Sequence, residues 1–501
     1  MPIQNIFKLQ LILFLILLAA WNLFFPVLEA ADEPSHFCHA DYIASRNRLP
    51  NLNIMDGCFL LYQPLYYLTL VPTIKLFNRP EYSQRDITPN PKMNQFRNGQ
   101  YSQFVHSKDE LRFSWNSFIL MIHTLRINSS LFAIIIFLLT WKLSKFIFPN
   151  GKNNWSLLLF MNPMFLHLFS SITNTTLTIL LASIFIAIDI FHANKAKSLK
   201  SNFIQGIILG LGLITKLSIY GLFFAYALIT FLNFRRYGQS INSKLKELTA
   251  FALGVLLTSG WYIYRAFRLY GEPLEINILN KVYPQNHHLN LLREIGPVNF
   301  ANSFFLTIFK TFWSGYGALT INFPQIVNVI LLILTLAVIY TVHTNRSKLN
   351  MPLKICIYYF FAILIGLIIS NFKLAAMHAK DLFPAYIPIC LLFAFAFIRI
   401  KDSASSLLKN KRLTLVFLAI TFYFYAQSEI ISSLKSLFLP KTNFLPLSLK
   451  GLTVLASYIL ILKHLSKAKL DDKKLIYTTW GLFAANILIV IVSNYLLYFK
   501  Y

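Results

Sequence analysis

Two adjacent acidic residues, Asp32 and Glu33, follow directly on the first long apolar run of the chain, within Asp32-Glu33-Pro34-Ser35-His36. Carboxylates at a hydrocarbon boundary are costly unless they face water or a pocket, so this pair is a candidate for acid–base chemistry. A simpler interpretation is a solvated helix start, with Asp32 as the cap and Pro34 in the first turn. The residue types alone leave both interpretations open.

Basic and polar residues near the ends of later apolar runs form a second set of candidates. A lysine or arginine in such a place is usually an interface anchor, but it can also bind the phosphate of an anionic lipid, which lies at the same depth. The sequence contains no zinc-ligand spacing, nucleophile elbow or phosphate-binding glycine loop. The members of this set are Lys216, Arg265, Lys310, Lys373, His378, Lys380 and Asp381.

The elements that must position these residues are long apolar segments. Among 501 residues, 56% are hydrophobic and only 13% are charged, and the mean hydropathy is +0.56. Water-soluble domains contain about 25% charged residues, so this composition excludes an ordinary soluble protein. Runs of about 18 or more apolar residues can cross a hydrocarbon core of about 30 Å as helices, which satisfy their own backbone hydrogen bonds in lipid. The sequence therefore predicts an all-α polytopic membrane protein.

Hydropathy and charge together predict about 13 transmembrane helices. Lysine and arginine concentrate in every second loop, as expected if those loops remain in the cytoplasm. The net charge of +27 is therefore attributed to topology, and no nucleic-acid partner is expected. The first run is predicted to be an uncleaved helix rather than a cleaved signal peptide, because further spans follow. The predicted spans are residues 9–28, 115–140, 154–171, 174–192, 203–217, 219–233, 249–268, 324–342, 353–371, 384–400, 412–430, 449–463 and 476–497.

Residues 1–400 are predicted to form a core that includes a large external segment, residues 29–114, and residues 401–501 to add C-terminal transmembrane helices. The external segment carries nine of the nineteen acidic residues of the protein. Within it, Phe59–Phe77 is predicted to be a helix that lies along the interface, because its tyrosines favour the headgroup level. A second external segment, residues 270–323, is predicted to complete a cap over the outward helix ends.

The four cysteines fall into two classes. Cys38 and Cys58 lie in the predicted external segment, whereas Cys356 and Cys390 lie in apolar runs and are assigned to the core. An external pair can form a disulfide, and two free thiols are the alternative. The sequence leaves the pairing of Cys38 and Cys58 open.

Short motifs between about residues 10 and 390 resemble, in order, those of the large C-type glycosyltransferases. These are polyprenyl-phosphate-sugar-dependent membrane enzymes that include protein O-mannosyltransferases and the lipid A aminoarabinose transferase. The acidic pair with its following Pro and His is similar to the first external loop of that family. The other matching motifs are Arg48-Leu49-Pro50, Gln63-Pro64-Leu65-Tyr66-Tyr67, Arg126-Ile127-Asn128-Ser129-Ser130, Asn162-Pro163-Met164-Phe165, Gly206 to Lys216, Gly260 to Pro273 and Phe312-Trp313-Ser314-Gly315-Tyr316-Gly317.

The chain departs from the family pattern at two positions. Relatives commonly have an aspartate where this chain has Thr175, so a second carboxylate is missing from that place. They have an arginine where this chain has Lys380, in Ala379-Lys380-Asp381-Leu382-Phe383-Pro384. Lysine keeps the charge of arginine but not its bidentate fork. These differences bear on the donor and the acceptor rather than on the class of enzyme.

The resemblance implies a hexosyl- or pentosyltransferase of the bacterial inner (plasma) membrane with an outward-facing site. It would transfer a sugar, with inversion, from a polyprenyl-phosphate-linked donor to a hydroxyl of a lipid, polysaccharide or protein. Asp32 would be the general base, and Glu33 would orient the acceptor or help to hold a divalent cation. Donor-phosphate binding would fall to Lys216, Arg265 and Lys380, and a groove for the acceptor or membrane lipid to His36, Tyr66, Tyr67 and Trp313.

Two other functions remain as alternatives. A secondary transporter or lipid flippase places charged residues near the bilayer midplane and interrupts matching helices in two repeated halves. Neither feature is seen in the sequence, where the polar residues gather at one face of the predicted bundle. A non-enzymatic membrane scaffold would give the acidic first external segment no purpose. We therefore expect an enzyme.

Overall fold

The structure, a computed structural model, describes the greater part of the chain as far as residue 402, and all structural statements refer to that part. The predicted spans after residue 402, the division at residue 401, Lys373 and Cys58 lie outside it. The described residues are 3–51, 63–77, 88–89, 104–106, 117–149, 153–238, 240–273, 275, 277–278, 288–315, 323, 325–371 and 377–402.

The described residues fold mainly into α-helices, and seven of these segments are long and apolar enough to cross a membrane. The predicted fold class is confirmed. One short antiparallel pair, β1 (Thr88–Pro89) with β2 (Phe104–Val105), accompanies the helices. The helices are α1 (Ile3–Phe24), α2 (Glu33–Arg46), α3 (Leu65–Leu76), α4 (Ser117–Ile147), α5 (Pro163–Phe169), α6 (Asn174–Phe191), α7 (Leu199–Leu213), α8 (Gly221–Tyr237), α9 (Ile241–Tyr270), α10 (His288–Trp313), α11 (Gln325–Thr344), α12 (Met351–Asn371) and α13 (Tyr386–Asp402).

Short 3-10 helices join several of these elements at the points where the chain turns. Two of them, Ala379–Asp381 and Phe383–Ala385, lead into α13, and a third, Leu217–Tyr220, separates α7 from α8. Such tight turns are frequent at helix ends, where the last backbone groups lack α-helical partners. The remaining two are Asn153–Met161 and Arg346–Lys348.

The predicted span 154–171 is wrong as a single helix. A 3-10 helix ends at Met161, and α5 begins at Pro163. Proline has no N–H and keeps the preceding residue out of the α region, so Asn162 adopts φ −58° and ψ 118°. The Asn162 side chain then caps α5, because its Oδ1 accepts a hydrogen bond from the Met164 N–H at 2.9 Å.

Helices α7 and α9 pack with their backbones in contact. A Cβ atom added to Gly206 would lie 2.1 Å from the carbonyl oxygen of Phe251, and one added to Gly254 would lie 2.4 Å from that of Phe203. Small residues allow this approach, which replaces hydrophobic burial as the source of helix association in lipid. The contact fixes the position of α7, and Lys216 follows three residues after its end.

A buried polar network joins α6, α7 and α12 near the carboxyl end of α6. Lys197 Nζ donates to Asp189 Oδ1 at 2.7 Å and to Gln205 Oε1 at 2.9 Å. Tyr359 donates its hydroxyl to the other carboxylate oxygen, and the ring of Tyr226 lies 4.5 Å from the ammonium. All five side chains are buried. We refer to Asp189, Lys197, Gln205 and Tyr359 as the buried network.

The cysteines are settled in part. Cys38 is disulfide-bonded, and Cys356 and Cys390 are free and buried, as expected for core residues. The other member of the predicted pair, Cys58, lies outside the described residues.

Candidate active site

Asp32 immediately precedes α2 but does not cap it. Its backbone is left-handed, with φ 63° and ψ 0°, and its side chain makes no capping hydrogen bond. The capping interpretation is therefore wrong. Instead Asp32 Oδ2 accepts a hydrogen bond from Lys380 Nζ at 2.5 Å, across 348 residues of sequence. The Asp32 side chain is 48% exposed, so the carboxylate stands at an accessible surface.

A second ion pair lies beside the first. Lys216, in the break between α7 and the following 3-10 helix, places Nζ 2.6 Å from Asp381 Oδ1. The same ammonium donates to Thr175 Oγ1 at 3.1 Å, in the first turn of α6. Lys216 and Asp381 are less exposed than Asp32, at 18% and 8% of their side chains. We refer to Asp32, Lys380, Lys216 and Asp381 as the charged cluster.

The short segment before α13 holds Lys380 and Asp381 in place. His378 Nδ1 accepts a hydrogen bond from the Lys380 N–H at 2.8 Å, and Thr311 Oγ1 on α10 accepts one from the Ala379 N–H at 3.0 Å. The ring of Phe383 stacks on Phe312, with centroids 5.1 Å apart. Backbone bonds and aromatic packing therefore attach this segment to α10, and its two charged side chains pair with different partners.

Burial and ion pairing act in opposite directions on the members of the charged cluster. The Lys380 ammonium holds the pKa of Asp32 well below its usual range, against the effect of burial. Burial acts to lower the pKa of Lys380, but Asp32 raises it overall. Burial lowers the pKa of Lys216, and Asp381 opposes that effect. The pKa of Asp381 is lowered, because Lys216 and Lys380 outweigh its burial. Each carboxylate of the charged cluster is therefore stabilised in its charged form by a neighbouring lysine.

Glu33 lies apart from the charged cluster, although it is the neighbour of Asp32 in sequence. It is fully buried and forms a bidentate pair with Arg126, whose Nε and Nη2 donate to its two oxygens at 2.8 and 2.7 Å. The Ile172 N–H also donates to Glu33 Oε1 at 2.9 Å. Arg126 donates in addition to the carbonyl of Phe25 at 2.6 Å. Glu33 therefore ties α2 to α4 and to the turns beside it.

Three of the predicted groove residues form a hydrogen-bonded layer between α2, α3 and the start of α6. His36 Nδ1 and the Tyr67 hydroxyl are 2.7 Å apart, and the Tyr66 hydroxyl accepts the Thr173 N–H at 3.0 Å. All three side chains are buried. Burial lowers the pKa of His36 to about 3, so its ring is neutral at pH 7 and adds no positive charge beside Asp32.

The remaining predicted site residues lie elsewhere. Arg265 Nη2 donates to the carbonyl of Pro50 at 2.6 Å, and this contact does not bring it to Lys216 or Lys380. Trp313 is buried at the end of α10, where its ring meets Phe312 edge-on with centroids 5.1 Å apart. Among the nine predicted site residues, the structure thus brings together Asp32, Lys216 and Lys380, with the neutral His36 beside them.

No group of three or more His, Cys, Asp or Glu side chains that could hold a metal ion occurs among the described residues. The two carboxylates of the charged cluster are each paired with a lysine. Ammonium groups repel a cation and attract an anion, so the cluster in this arrangement fits a phosphate better than a divalent metal. The divalent cation stays a prediction.

Two residues of the site were given no role from the sequence. Asp381 was one of several polar residues near a helix end, and its carboxylate proves to pair with Lys216. Thr175 was noted only as a departure from the family pattern, and its hydroxyl contacts the same ammonium. The sequence could have indicated Asp381 as a site residue, because it follows Lys380 directly. Its pairing with Lys216 depends on tertiary structure.

Comparison with known proteins separates sequence from fold. No family model and no curated protein sequence matches the chain. The crystal structure of ArnT from Cupriavidus metallidurans bound to undecaprenyl phosphate is similar to this chain, with a TM-score of 0.57 and 12% identity over 97% of this chain and 76% of that one. The apo structure of the same ArnT gives a TM-score of 0.54 and 11% identity over the same shares of the two chains.

A third solved structure is more distant. The apo oligosaccharyltransferase from Archaeoglobus fulgidus gives a TM-score of 0.42 and 11% identity, over 97% of this chain and 56% of that one, which is too low to carry an argument. The likeness to ArnT is one of fold, because the sequence identity is low. The chain therefore has the fold of ArnT, the lipid A aminoarabinose transferase, and its resemblance to the C-type membrane glycosyltransferases is confirmed at the level of the fold.

Proposed function

We propose that this protein is a membrane glycosyltransferase that moves a sugar from a polyprenyl-phosphate-linked donor to an acceptor hydroxyl. The observation that carries the proposal is the charged cluster, in which the half-exposed Asp32 carboxylate lies 2.5 Å from the Lys380 ammonium. One ligand class is supported by the fold, since an ArnT crystal structure contains undecaprenyl phosphate. A base and two cations near one another match the needs of a transfer in which phosphate leaves.

Lys216 and Lys380 are the groups proposed to bind the donor phosphate. Negative charge develops on the phosphate as the bond to the sugar breaks, and fixed ammonium groups near it stabilise that charge. Lysine suits this use as a compact point charge. In the structure, however, Lys380 is hydrogen-bonded to Asp32. Binding of the phosphate must therefore draw Lys380 away from Asp32, at least in part.

Asp32 is the proposed general base. The acceptor oxygen attacks the anomeric carbon, Asp32 takes the hydroxyl proton, and the carbon–oxygen bond to phosphate breaks with its electron pair retained by the phosphate. A single displacement of this kind inverts the anomeric configuration. While paired with Lys380, Asp32 has a lowered pKa and is a weak base. Transfer of Lys380 to the donor phosphate raises that pKa, so the base becomes effective once the donor is bound.

Glu33 is proposed to act through position rather than by contact with the acceptor. Its pair with Arg126 fixes the start of α2, and the next residue back along the chain is Asp32. Holding a base within a fraction of an ångström of its working position is a large part of catalysis. The roles predicted for Arg265 in donor binding and for the four groove residues stay predictions. No step is assigned to a divalent cation.

An outward-facing site in a bacterial inner membrane is part of the proposal. Arg235 and Arg236 lie in the last turn of α8, whose first turn follows Lys216 by a few residues. Arg346 and Lys348 lie in the tight turn between α11 and α12. Basic residues mark the cytoplasmic ends of transmembrane helices. The position of Arg235 and Arg236 at the end of α8 remote from Lys216 supports an external site.

The proposal is tested with full-length protein in lipid nanodiscs and radiolabelled undecaprenyl-phosphate hexose or pentose as donor. Membrane lipid, polysaccharide and peptide serve as acceptors, and released undecaprenyl phosphate is measured. A matched control is Glu247→Gln. It alters an ion pair outside the charged cluster, in which Lys244 Nζ lies 2.7 Å from Glu247 Oε2. Wild type and control should both transfer label. If wild type neither binds undecaprenyl phosphate nor uses any of these donors, the proposal is wrong and a transporter becomes the better interpretation.

A further inference from the structure

Asp381 is the member of the charged cluster that the proposed reaction does not use. Asp381 is buried, with 7% of the whole residue exposed, and its Oδ1 lies 2.6 Å from Lys216 Nζ. The base of the reaction is Asp32, on a different element and with a different lysine partner. A second carboxylate at a site proposed to receive a phosphate would repel that phosphate. Asp381 must therefore contribute something that offsets the repulsion.

That contribution follows from the surroundings of Lys216. The ammonium lies in a helix break, mostly enclosed, and its polar neighbours at contact distance are the Thr175 hydroxyl and the Asp381 carboxylate. The charged and titratable groups that face it are Asp381, Lys380, Asp32, His36 and His378, and Tyr220 faces Asp381. A hydroxyl alone does not keep an enclosed ammonium charged, and a second lysine nearby acts against it. Asp381 is the only carboxylate in direct contact with it among the described residues.

We propose that Asp381 is a positioning residue for the transfer reaction, holding Lys216 charged and in place so that its ammonium can meet the donor phosphate. The inference rests on the proposed function, because it assigns a role within the same site. It gives the site a division of labour between two ion pairs. Asp32 releases Lys380 and takes the proton of the acceptor hydroxyl, whereas Asp381 stays paired with Lys216 and keeps its ammonium charged.

The geometry around Lys216 also supplies a rescue variant. Thr175 Oγ1 lies 3.1 Å from the same ammonium, on the first turn of α6, where a negative charge also interacts favourably with the helix dipole. Aspartate is close to threonine in size. In Thr175→Asp a carboxylate should therefore approach Lys216 from the α6 side and replace the charge removed in Asp381→Asn.

The experiment measures binding of undecaprenyl phosphate to full-length protein in nanodiscs between about pH 6 and pH 10. In Asp381→Asn the pKa of Lys216 falls, so its proton is lost at lower pH than in wild type. Binding should be near normal at the acid end and about tenfold weaker than wild type at the alkaline end, as for a shift of about one pKa unit. Asp381 also helps to keep Lys380 charged, so the Lys216→Arg double variant and direct modification of Lys216 are needed to assign the difference to Lys216.

Two double variants separate charge from structure. Asp381→Asn with Lys216→Arg should bind with little pH dependence, because arginine stays protonated. Asp381→Asn with Thr175→Asp should recover the wild-type profile. Glu247→Gln should not change the profile at all. Equal loss at every pH, without recovery in either double variant, would make Asp381 a structural residue only and overturn the proposal.

A second measurement distinguishes failure of this inference from failure of the proposed function. The rate at which an amine-selective reagent modifies Lys216, followed by mass spectrometry against pH, reports the charge on Lys216 without any lipid ligand. Asp381→Asn should become reactive at lower pH than wild type. If wild type does not bind undecaprenyl phosphate but this shift is present, the proposed function fails and the link between Asp381 and Lys216 holds. An unchanged reactivity profile overturns the inference.

Discussion

Helix α6 carries an ion-pair group near each end, and the two groups differ in how they are enclosed. In the buried network, both oxygens of Asp189 accept hydrogen bonds and Lys197 has two acceptors. In the charged cluster, Asp32 is 48% exposed and its ammonium partner lies on a distant segment. The two ends, Thr175 and Asp189, are separated by about 21 Å at the rise of an α-helix.

The difference teaches which charges can change partners. A buried carboxylate with both oxygens engaged has no room for a new ligand, and breaking it leaves an uncompensated charge in the interior. A half-exposed pair in contact with water can exchange one partner for another at small cost. We therefore interpret the buried network as a fixed joint between α6, α7 and α12, and the charged cluster as the place where chemistry occurs.

The largest effect is expected from a substitution that disrupts the buried network. Lys197→Ala leaves Asp189 buried without its cation and should lower the free energy of unfolding by about 3–5 kcal/mol. The measurement is thermal or denaturant unfolding in detergent, with the surface-directed Lys200→Ala as control. A loss below about 1 kcal/mol would contradict the interpretation of this group as a fixed joint, because exposed pairs contribute that little.

The second largest effect is expected from the buried ion pair between Glu33 and Arg126, next to the site. Glu33→Gln keeps the shape of the side chain but leaves buried Arg126 without a counter-charge, so stability should fall by about 2–4 kcal/mol. Turnover per folded molecule should also fall, because Asp32 is then held less firmly at the start of α2. If instead the variant is fully stable but inactive, Glu33 acts directly on the substrates, as the resemblance implies, and not through position.

The smallest expected effect on stability comes from the charged cluster. Lys380→Ala should change the free energy of unfolding by less than about 1 kcal/mol, because the pair with Asp32 is partly exposed. Binding of undecaprenyl phosphate should weaken about tenfold, whereas Lys380→Arg should keep most of it. Unchanged binding in the alanine variant would reduce Lys380 to an interface anchor.

The helical, membrane-spanning character of the chain could be predicted from the sequence, because hydropathy and basic loops depend on local composition. Pro163 also indicates the break at Asn162, because proline disfavours a helical conformation at the preceding residue. The apolar run around it favoured a continuous span instead. Helices α4 and α9 also extend beyond their predicted spans. They contain 31 and 30 residues, because the helix continues into polar residues outside the apolar part.

The site could be predicted only in outline. Asp32 and Glu33 are adjacent in sequence, yet Asp32 lies before α2 with a left-handed backbone and reaches an accessible surface, whereas Glu33 begins α2 and is buried. The partner of Asp32 is 348 residues away, and the pairing of Lys216 with Asp381 joins two other distant segments. Such contacts follow from helix packing, which no local pattern in a single sequence encodes.

The central claim is that Asp32 is the base of a transfer reaction, and Asp32→Asn tests it most directly. The variant keeps the size of the side chain and removes the basic oxygen, so sugar transfer from undecaprenyl-phosphate donors should fall about 10²- to 10⁴-fold, or roughly 3–5 kcal/mol of transition-state stabilisation. Because Lys380 no longer has a carboxylate partner, binding of undecaprenyl phosphate should be retained or tighter. Turnover close to that of wild type, at equal amounts of folded protein, would contradict the account.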